Sequence, residues 1–171
     1  TYNGTGGSLT ITTGFKPDFV MIKRTDASGS WVLLDSPRDG GDTRLYADLA
    51  NAEDTGQGES FVSTGFKPRS STTNDTNTSG GTYIYWAVAK NVPSNTTLAS
   101  SFNAAFYTGS STSRSISTFG FRPDLVWIKK LSATDLHVWT DSVRGNNQQL
   151  FSNQTDAQSV SATRLTSFDA N

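Results

Sequence analysis

Short apolar runs alternate along the chain with polar stretches rich in glycine, serine and asparagine. Phe19-Val20-Met21-Ile22 is continuous, contains β-branched residues, and is fenced by Pro17 and by the polar stretch after Lys23. A run of that length suits a strand buried on both faces better than a helix. Trp31-Val32-Leu33-Leu34, Leu125-Val126-Trp127-Ile128 and His137-Val138-Trp139 have the same character, and residues 83–88 are long enough for a central strand. Asp39-Gly40-Gly41-Asp42 and residues 74–81 read as turns, because these residue types tolerate left-handed backbone or bond their own main chain. Only residues 47–53 suit a helical turn. The pattern predicts an all-β, antiparallel sandwich or barrel.

The chain also repeats itself. Gly14-Phe15-Lys16-Pro17-Asp18-Phe19-Val20-Met21-Ile22-Lys23-Arg24 returns 106 residues later as Gly120-Phe121-Arg122-Pro123-Asp124-Leu125-Val126-Trp127-Ile128-Lys129-Lys130. Asp35-Ser36-Pro37-Arg38 returns in the same register as Asp141-Ser142-Val143-Arg144. Tyr2-Asn3-Gly4 matches Tyr107-Thr108-Gly109, and Leu45-Tyr46-Ala47-Asp48 matches Leu150-Phe151-Ser152-Asn153. A self-similarity of this kind marks tandem modules. The expected division is a first module over 1–93, a linker over 94–100 and a second module over 101–171. Copy one runs on through Tyr83-Ile84-Tyr85-Trp86-Ala87-Val88, whereas copy two has no such segment before Asn171. The second module is therefore expected to be incomplete at its C-terminal end, in a window cut from a longer array. Its open sheet edge would be closed by continuation of the same chain or by a strand from a neighbouring subunit.

Composition narrows the functional classes. Among 171 residues, 14 Lys plus Arg against 15 Asp plus Glu give a net charge of −1, which lacks the clustered basic excess that nucleic-acid binding needs. Four Trp, five Tyr and ten Phe supply anchors for a folded core. No apolar stretch approaches the roughly 18 residues of a membrane-spanning helix. With no Cys, disulfides, thiolate nucleophiles and cysteine zinc clusters are excluded.

The order Tyr-x-Gly, Gly-Phe-x-Pro-Asp-x-Val-x-Ile-Lys, Asp-Ser-x-Arg, Thr-Ser-Phe-Asp and Gly-x-Thr-Tyr-Ile-x-Trp-Ala resembles a repeat domain of unknown function. That family occurs in virion structural proteins, mostly tail-fibre-like, of tailed phages. The resemblance covers nearly all of both copies. Met21 departs from it, where the family favours Trp, as does Pro37, where Val is usual. It implies tandem lectin-like β-sandwich modules of jelly-roll type on the virion surface, a homotrimer, and no enzymatic activity or cofactor. The expected partners are a host cell-surface glycan or receptor and other virion proteins. The alternative is a capsid-decoration or spacer module that binds virion proteins alone.

Several residues are candidates for chemistry. The repeat motif comprises Gly14, Phe15, Pro17, Asp18, Lys23, Asp35 and Arg38, with Gly120, Phe121, Pro123, Asp124, Lys129, Asp141 and Arg144. Paired carboxylates among these suit glycoside hydrolysis if they face each other across a cleft, but residues shared by diverged modules more readily serve the common scaffold as turn caps and ion pairs. Asp35, Asp39 and Asp42 form the one carboxylate cluster resembling a hard-cation loop, and copy two keeps only Asp141 there. His137, the single histidine, corresponds to Trp31 and reads as a strand residue exposed on one face. Ligand contacts are expected in loops that diverge between copies, at Asp39, Asp42, Arg44, Asn146, Asn147 and Gln148. Tyr46, Tyr83, Tyr85, Trp139 and Phe151 are aromatics able to stack on a sugar ring.

Overall fold

A computed structural model describes residues 1–56, 59–69, 76–89 and 102–169. The expected linker lies outside the described residues. The strands are β1 (Tyr2–Asn3), β2 (Ile11–Thr12), β3 (Phe19–Arg24), β4 (Val32–Asp35), β5 (Leu45–Tyr46), β6 (Ser60–Val62), β7 (Gly65–Lys67), β8 (Thr82–Val88), β9 (Leu125–Ile128), β10 (Val138–Asp141), β11 (Gln148–Phe151) and β12 (Ser159–Val160). They form three antiparallel sheets in the orders β1-β8-β3-β4-β5, β2-β7-β6 and β12-β11-β10-β9. One helical turn, α1 (Ser36–Asp39), interrupts them.

The expected helical turn over 47–53 is not formed. The helix sits instead at α1, because Asp35 is a side-chain N-cap, Pro37 presets the first turn, and Gly40 closes it at φ 77°. Copy two, with Val143 in place of Pro37, has a non-helical turn there.

The two copies share their strand register. In copy one Phe19, Val20, Met21 and Ile22 oppose Asp35, Leu34, Leu33 and Val32. In copy two Leu125, Val126, Trp127 and Ile128 oppose Asp141, Thr140, Trp139 and Val138. The next strand also keeps step, since Leu33 opposes Leu45 as Trp139 opposes Leu150.

The copies differ in how this hairpin is covered. In copy one Val20, Ile22, Val32 and Leu34 join Ile11, Phe66 and Tyr83 in one core, so the five-stranded and three-stranded sheets share it. Within the three-stranded sheet a glycine is required where β2 meets β7, because a Cβ on Gly65 would overlap the Ile11 carbonyl oxygen. Among the described residues copy two has a single four-stranded sheet. Its strand β9 was expected to be buried on both faces; instead Leu125 is 52% exposed, against 9% for its counterpart Phe19. Among the described residues nothing in copy two takes the places of β7 and β8, so the apolar run is covered on fewer sides.

The opposite face of copy one is covered by copy two. Phe19, Leu33, Leu45 and Ala47 form a second core against Met21, Val88, Phe102, Trp127 and Leu131. Main-chain bonds cross the same boundary, from Glu53 N–H to the Leu131 carbonyl at 3.0 Å and from Asp135 N–H to the Ala50 carbonyl at 2.8 Å. The described parts of the modules therefore pack on each other.

One ion pair lies fully inside copy one. Arg44 and Glu59 are hydrogen-bonded and nearly without solvent contact, Thr76 Oγ1 donates to Glu59 Oε1 at 3.1 Å, and the Tyr2 hydroxyl donates to the Thr76 carbonyl at 2.5 Å. Burial pushes the Glu59 carboxyl above its ordinary value, and Arg44 pulls it partly back. Glu59→Ala should cost about 3–5 kcal/mol, since it leaves a buried guanidinium uncompensated, while Arg44→Met combined with Glu59→Leu should cost clearly less. Urea unfolding of the single and double variants measures both, and an equal loss in the two would contradict this account.

Candidate functional site

The charged residues retained in both copies hold turns. Asp35 accepts the Arg38 main-chain N–H at 3.4 Å and its Nε–H at 2.7 Å; Asp141 accepts the same two groups of Arg144 at 2.9 and 2.6 Å. Ser36 Oγ donates to Asp18 Oδ1 and Ser142 Oγ to Asp124 Oδ1, while the main-chain N–H of each serine bonds the carbonyl of the same aspartate. Lys23 Nζ donates to the carbonyls of Arg24 and Gly29 in the β3–β4 loop, and Lys129 Nζ to those of Lys130 and Ala133 in the β9–β10 loop. Gly14 and Gly120, at φ 86° and 73°, turn the chain into the Phe-x-Pro-Asp segment that leads to each hairpin.

The loops expected to meet a ligand are partly scaffold. Asp39 accepts the main-chain N–H groups of Gly41 and Asp42 at 3.2 and 2.9 Å and the Thr43 hydroxyl. Arg44 points inward to Glu59. Asn146 Nδ2 donates to the carbonyls of Leu165 and Thr166 at 3.3 and 2.6 Å, and Gln148 belongs to β11 with Asn147 as a partner at 3.2 Å. Asp35, Asp39 and Asp42 do not converge: among the described residues no three carboxylate or imidazole groups gather as a cation site.

A concavity lies where the copies meet. Met21 on β3, Trp31 just before β4, Ala47 and Asp48 face Trp127, Trp139 and Ser152 around a hollow of about 220 Å³. It adjoins a second hollow of about 330 Å³ lined by Trp139, Leu150, Phe151, Ser152, Gln154, Thr155 and Asp156. Trp139 and Ser152 belong to both, so the two make one groove across the junction. Trp127 and Trp139 are cross-strand partners with ring centroids 4.5 Å apart. Ser152 Oγ donates to the Ala47 carbonyl at 2.7 Å, tying the second copy's wall to the first. Asp48 Oδ1 accepts the Trp31 main-chain N–H at 3.0 Å, which fixes the entry to β4 beside the groove. The buried indole N–H of Trp139 has no protein acceptor among the described residues. Of the aromatics marked from sequence, Trp139 and Phe151 line this groove, whereas Tyr83 is buried in the first core and Tyr46 and Tyr85 pack against it.

His137 requires a correction. It is fully buried, not exposed, because copy one covers it. Its Nδ1 accepts the Trp127 Nε1–H at 3.0 Å, so the ring proton belongs on Nε2, which faces the main chain of Tyr46 and Leu49 without a hydrogen bond of normal geometry. Burial, reinforced by the nearby Lys129 ammonium, depresses its pKa from 6.5 to about 4. His137 thus orients Trp127, a wall of the groove. Sequence reasoning missed the burial of His137 because no local signal marks a cover supplied by Tyr46 and Leu49, roughly 90 positions earlier.

The chain belongs to the family described as Domain of unknown function (DUF7483), whose model matches residues 1–92 and 98–171. The two matched segments coincide with the two copies of the repeat. No curated protein and no solved structure matches the chain.

Between pH 6.5 and about 4 the unfolded chain binds a proton at His137 that the folded chain does not. Stability should therefore rise with pH across that window and fall on acidification, by on the order of 1–3 kcal/mol from this residue. His137→Phe should flatten that part of the profile in urea midpoints measured from pH 4 to 7. An unchanged slope would show that the histidine does not titrate in this way.

Proposed function

We propose that this chain is a non-enzymatic module of a phage particle, of tail-fibre or appendage type, that binds a host-surface glycan in the groove between its two copies. The observation that carries the reading is the cluster of Trp31, Trp127 and Trp139 around one hollow that also contains Asp48 and Ser152. A pyranose offers an apolar C–H face and a rim of hydroxyls. Aromatic walls with a few fixed polar groups complement both features. The wider hollow adds Gln154, Thr155 and Asp156 beside Phe151, so a second sugar unit has amide, hydroxyl and carboxylate partners within the same groove.

The turn-holding role of Asp18, Asp35, Asp124 and Asp141 supports the non-enzymatic reading, since each carboxylate is engaged by its own loop. In this reading the copies are tandem lectin-like sandwiches of jelly-roll type, carried as a homotrimer on the virion surface. A second reading, a spacer or capsid-decoration module that binds only virion proteins, draws support from the apolar contact between copies, which stiffens the tandem.

Glycan-array binding by the full chain tests the choice. The expected outcome is selective binding that Trp31→Ala and Trp139→Ala each weaken by about two- to tenfold, the range a single aromatic stacking contact contributes. Trp31 is 37% exposed, so its variant should fold normally and separates lost binding from lost structure. Absence of any glycan binding by the folded chain would favour the spacer reading.

A further inference from the structure

The charge that lines the groove is of one sign. Asp48 and Asp156 are the charged side chains among the described residues lining the two hollows, and no Lys, Arg or His stands with them. Lys129, close enough to act on His137, donates instead to the carbonyls of Lys130 and Ala133. Copy two separates the charge of Asp48 from its work in the scaffold. Asp48 Oδ1 accepts the Trp31 main-chain N–H at 3.0 Å, and Asn153, at the same place in the repeat, accepts the His137 main-chain N–H through its own Oδ1 at 3.0 Å. A neutral amide therefore holds this turn as a carboxylate does. The negative charge of Asp48 is surplus to the scaffold: it forms no ion pair among the described residues, and it sits in the wall of the hollow with Trp31, Trp127 and Trp139.

We propose that the smaller hollow is a cage for a quaternary ammonium group carried by the glycan that the groove binds. Three indole rings and the Met21 thioether surround about 220 Å³, with one carboxylate among them. The face of an indole is the negative part of its quadrupole and attracts a cation placed over it. Methylation decides the class of cation. A primary ammonium needs acceptors for its N–H groups once it leaves water, and here Asp48 Oδ1 and the Ala47 carbonyl are already engaged by Trp31 and Ser152. A trimethylammonium has no N–H to satisfy, and its methyl groups suit aromatic walls. Asp48 balances its charge, whereas an acidic sugar or a phosphate meets Asp48 and Asp156 with like charge. The carrier rests on the glycan reading of this groove; the group it carries rests on the rings and the surplus charge.

Choline titrated into the full chain tests the cage by tryptophan fluorescence, because three of the four tryptophans line the hollow. The expected result is a saturable change, with the uncharged isostere that has tert-butyl in place of trimethylammonium binding about tenfold or more weakly. Asp48→Asn should weaken choline binding by about threefold or more and leave the urea midpoint unchanged, as Asn153 indicates. Trp31→Ala should weaken it by about two- to thirtyfold. Equal binding of choline and its isostere would overturn the proposal, and so would full choline binding by the Asp48→Asn variant. On glycan arrays, choline-bearing glycans should be retained and free choline should displace them. Retention of neutral glycans that choline does not displace would refute the cage and leave the glycan groove standing. Saturable choline binding with no glycan retained, or with phosphatidylcholine vesicles bound instead, would refute the glycan carrier.

Discussion

The clamp between the Pro-Asp entry of one strand and the Asp-Ser-x-Arg exit of the next is the constraint on which the rest of the structure depends. Asp18 receives Ser36, and Asp35 receives Arg38, so the open end of the β3–β4 pair is fixed where Phe19 meets Asp35. A slip of one residue would turn every side chain of these strands to the opposite face. With the register fixed, Val20 and Ile22 enter the core shared with Phe66 and Tyr83, and Phe19 and Met21 turn to the other copy. Asp124, Ser142, Asp141 and Arg144 repeat the clamp in copy two, which turns Trp127 and Trp139 to one side as cross-strand partners. The charged motif and the aromatic groove are thus cause and consequence. The Asp35–Arg38 and Asp141–Arg144 pairs are largely shielded from solvent, so desolvation offsets part of their attraction; their importance lies in the face they assign to the apolar residues.

Much of the strand framework was legible because continuous apolar runs fenced by proline, glycine and polar clusters have few other uses. The runs at 19–22, 83–88 and 125–128 lie within strands, and those at 31–34 and 137–139 do so apart from their first residues, Trp31 and His137. The duplication made the shared register legible as well. Strands β1, β2, β5 and β12 were not, since each has two residues and a period cannot be read from two positions. Helix α1 was not legible because it is a capped turn without an apolar stripe, and its only signal is the Asp35, Pro37 and Gly40 trio.

The site was less legible than the fold for a different reason. Arg44 and Asp39 sit in a polar, glycine-containing stretch that resembles a binding loop, yet one enters a buried ion pair and the other closes its own turn. Trp31 and Trp127 read as strand interior, although they line an open groove. In both cases the deciding neighbour is remote in sequence: Glu59 for Arg44, and the whole of the other copy for the tryptophans. Local patterning reports which residues are apolar, whereas an opening between two packed modules depends on how their surfaces meet.

The differences between the copies follow from that meeting. Two equivalent modules stacked in tandem present non-equivalent faces to each other, so one side chain cannot serve both positions. Met21 and Trp127 occupy the same place in the repeat, and Trp31 and His137 occupy another; all but His137 line the groove, and His137 holds Trp127 from behind. A second Trp at position 21 would add bulk against Trp127 in the hollow, while unbranched Met adapts to it. Likewise a Trp at position 137 would demand more room than the fully buried imidazole has. Met21 and Trp31 thus differ from Trp127 and His137 where the copies face one another, while the Asp, Ser and Arg positions of the clamp are preserved because each copy needs them for its own hairpin. Divergence at the junction gives the tandem a groove that neither module has by itself.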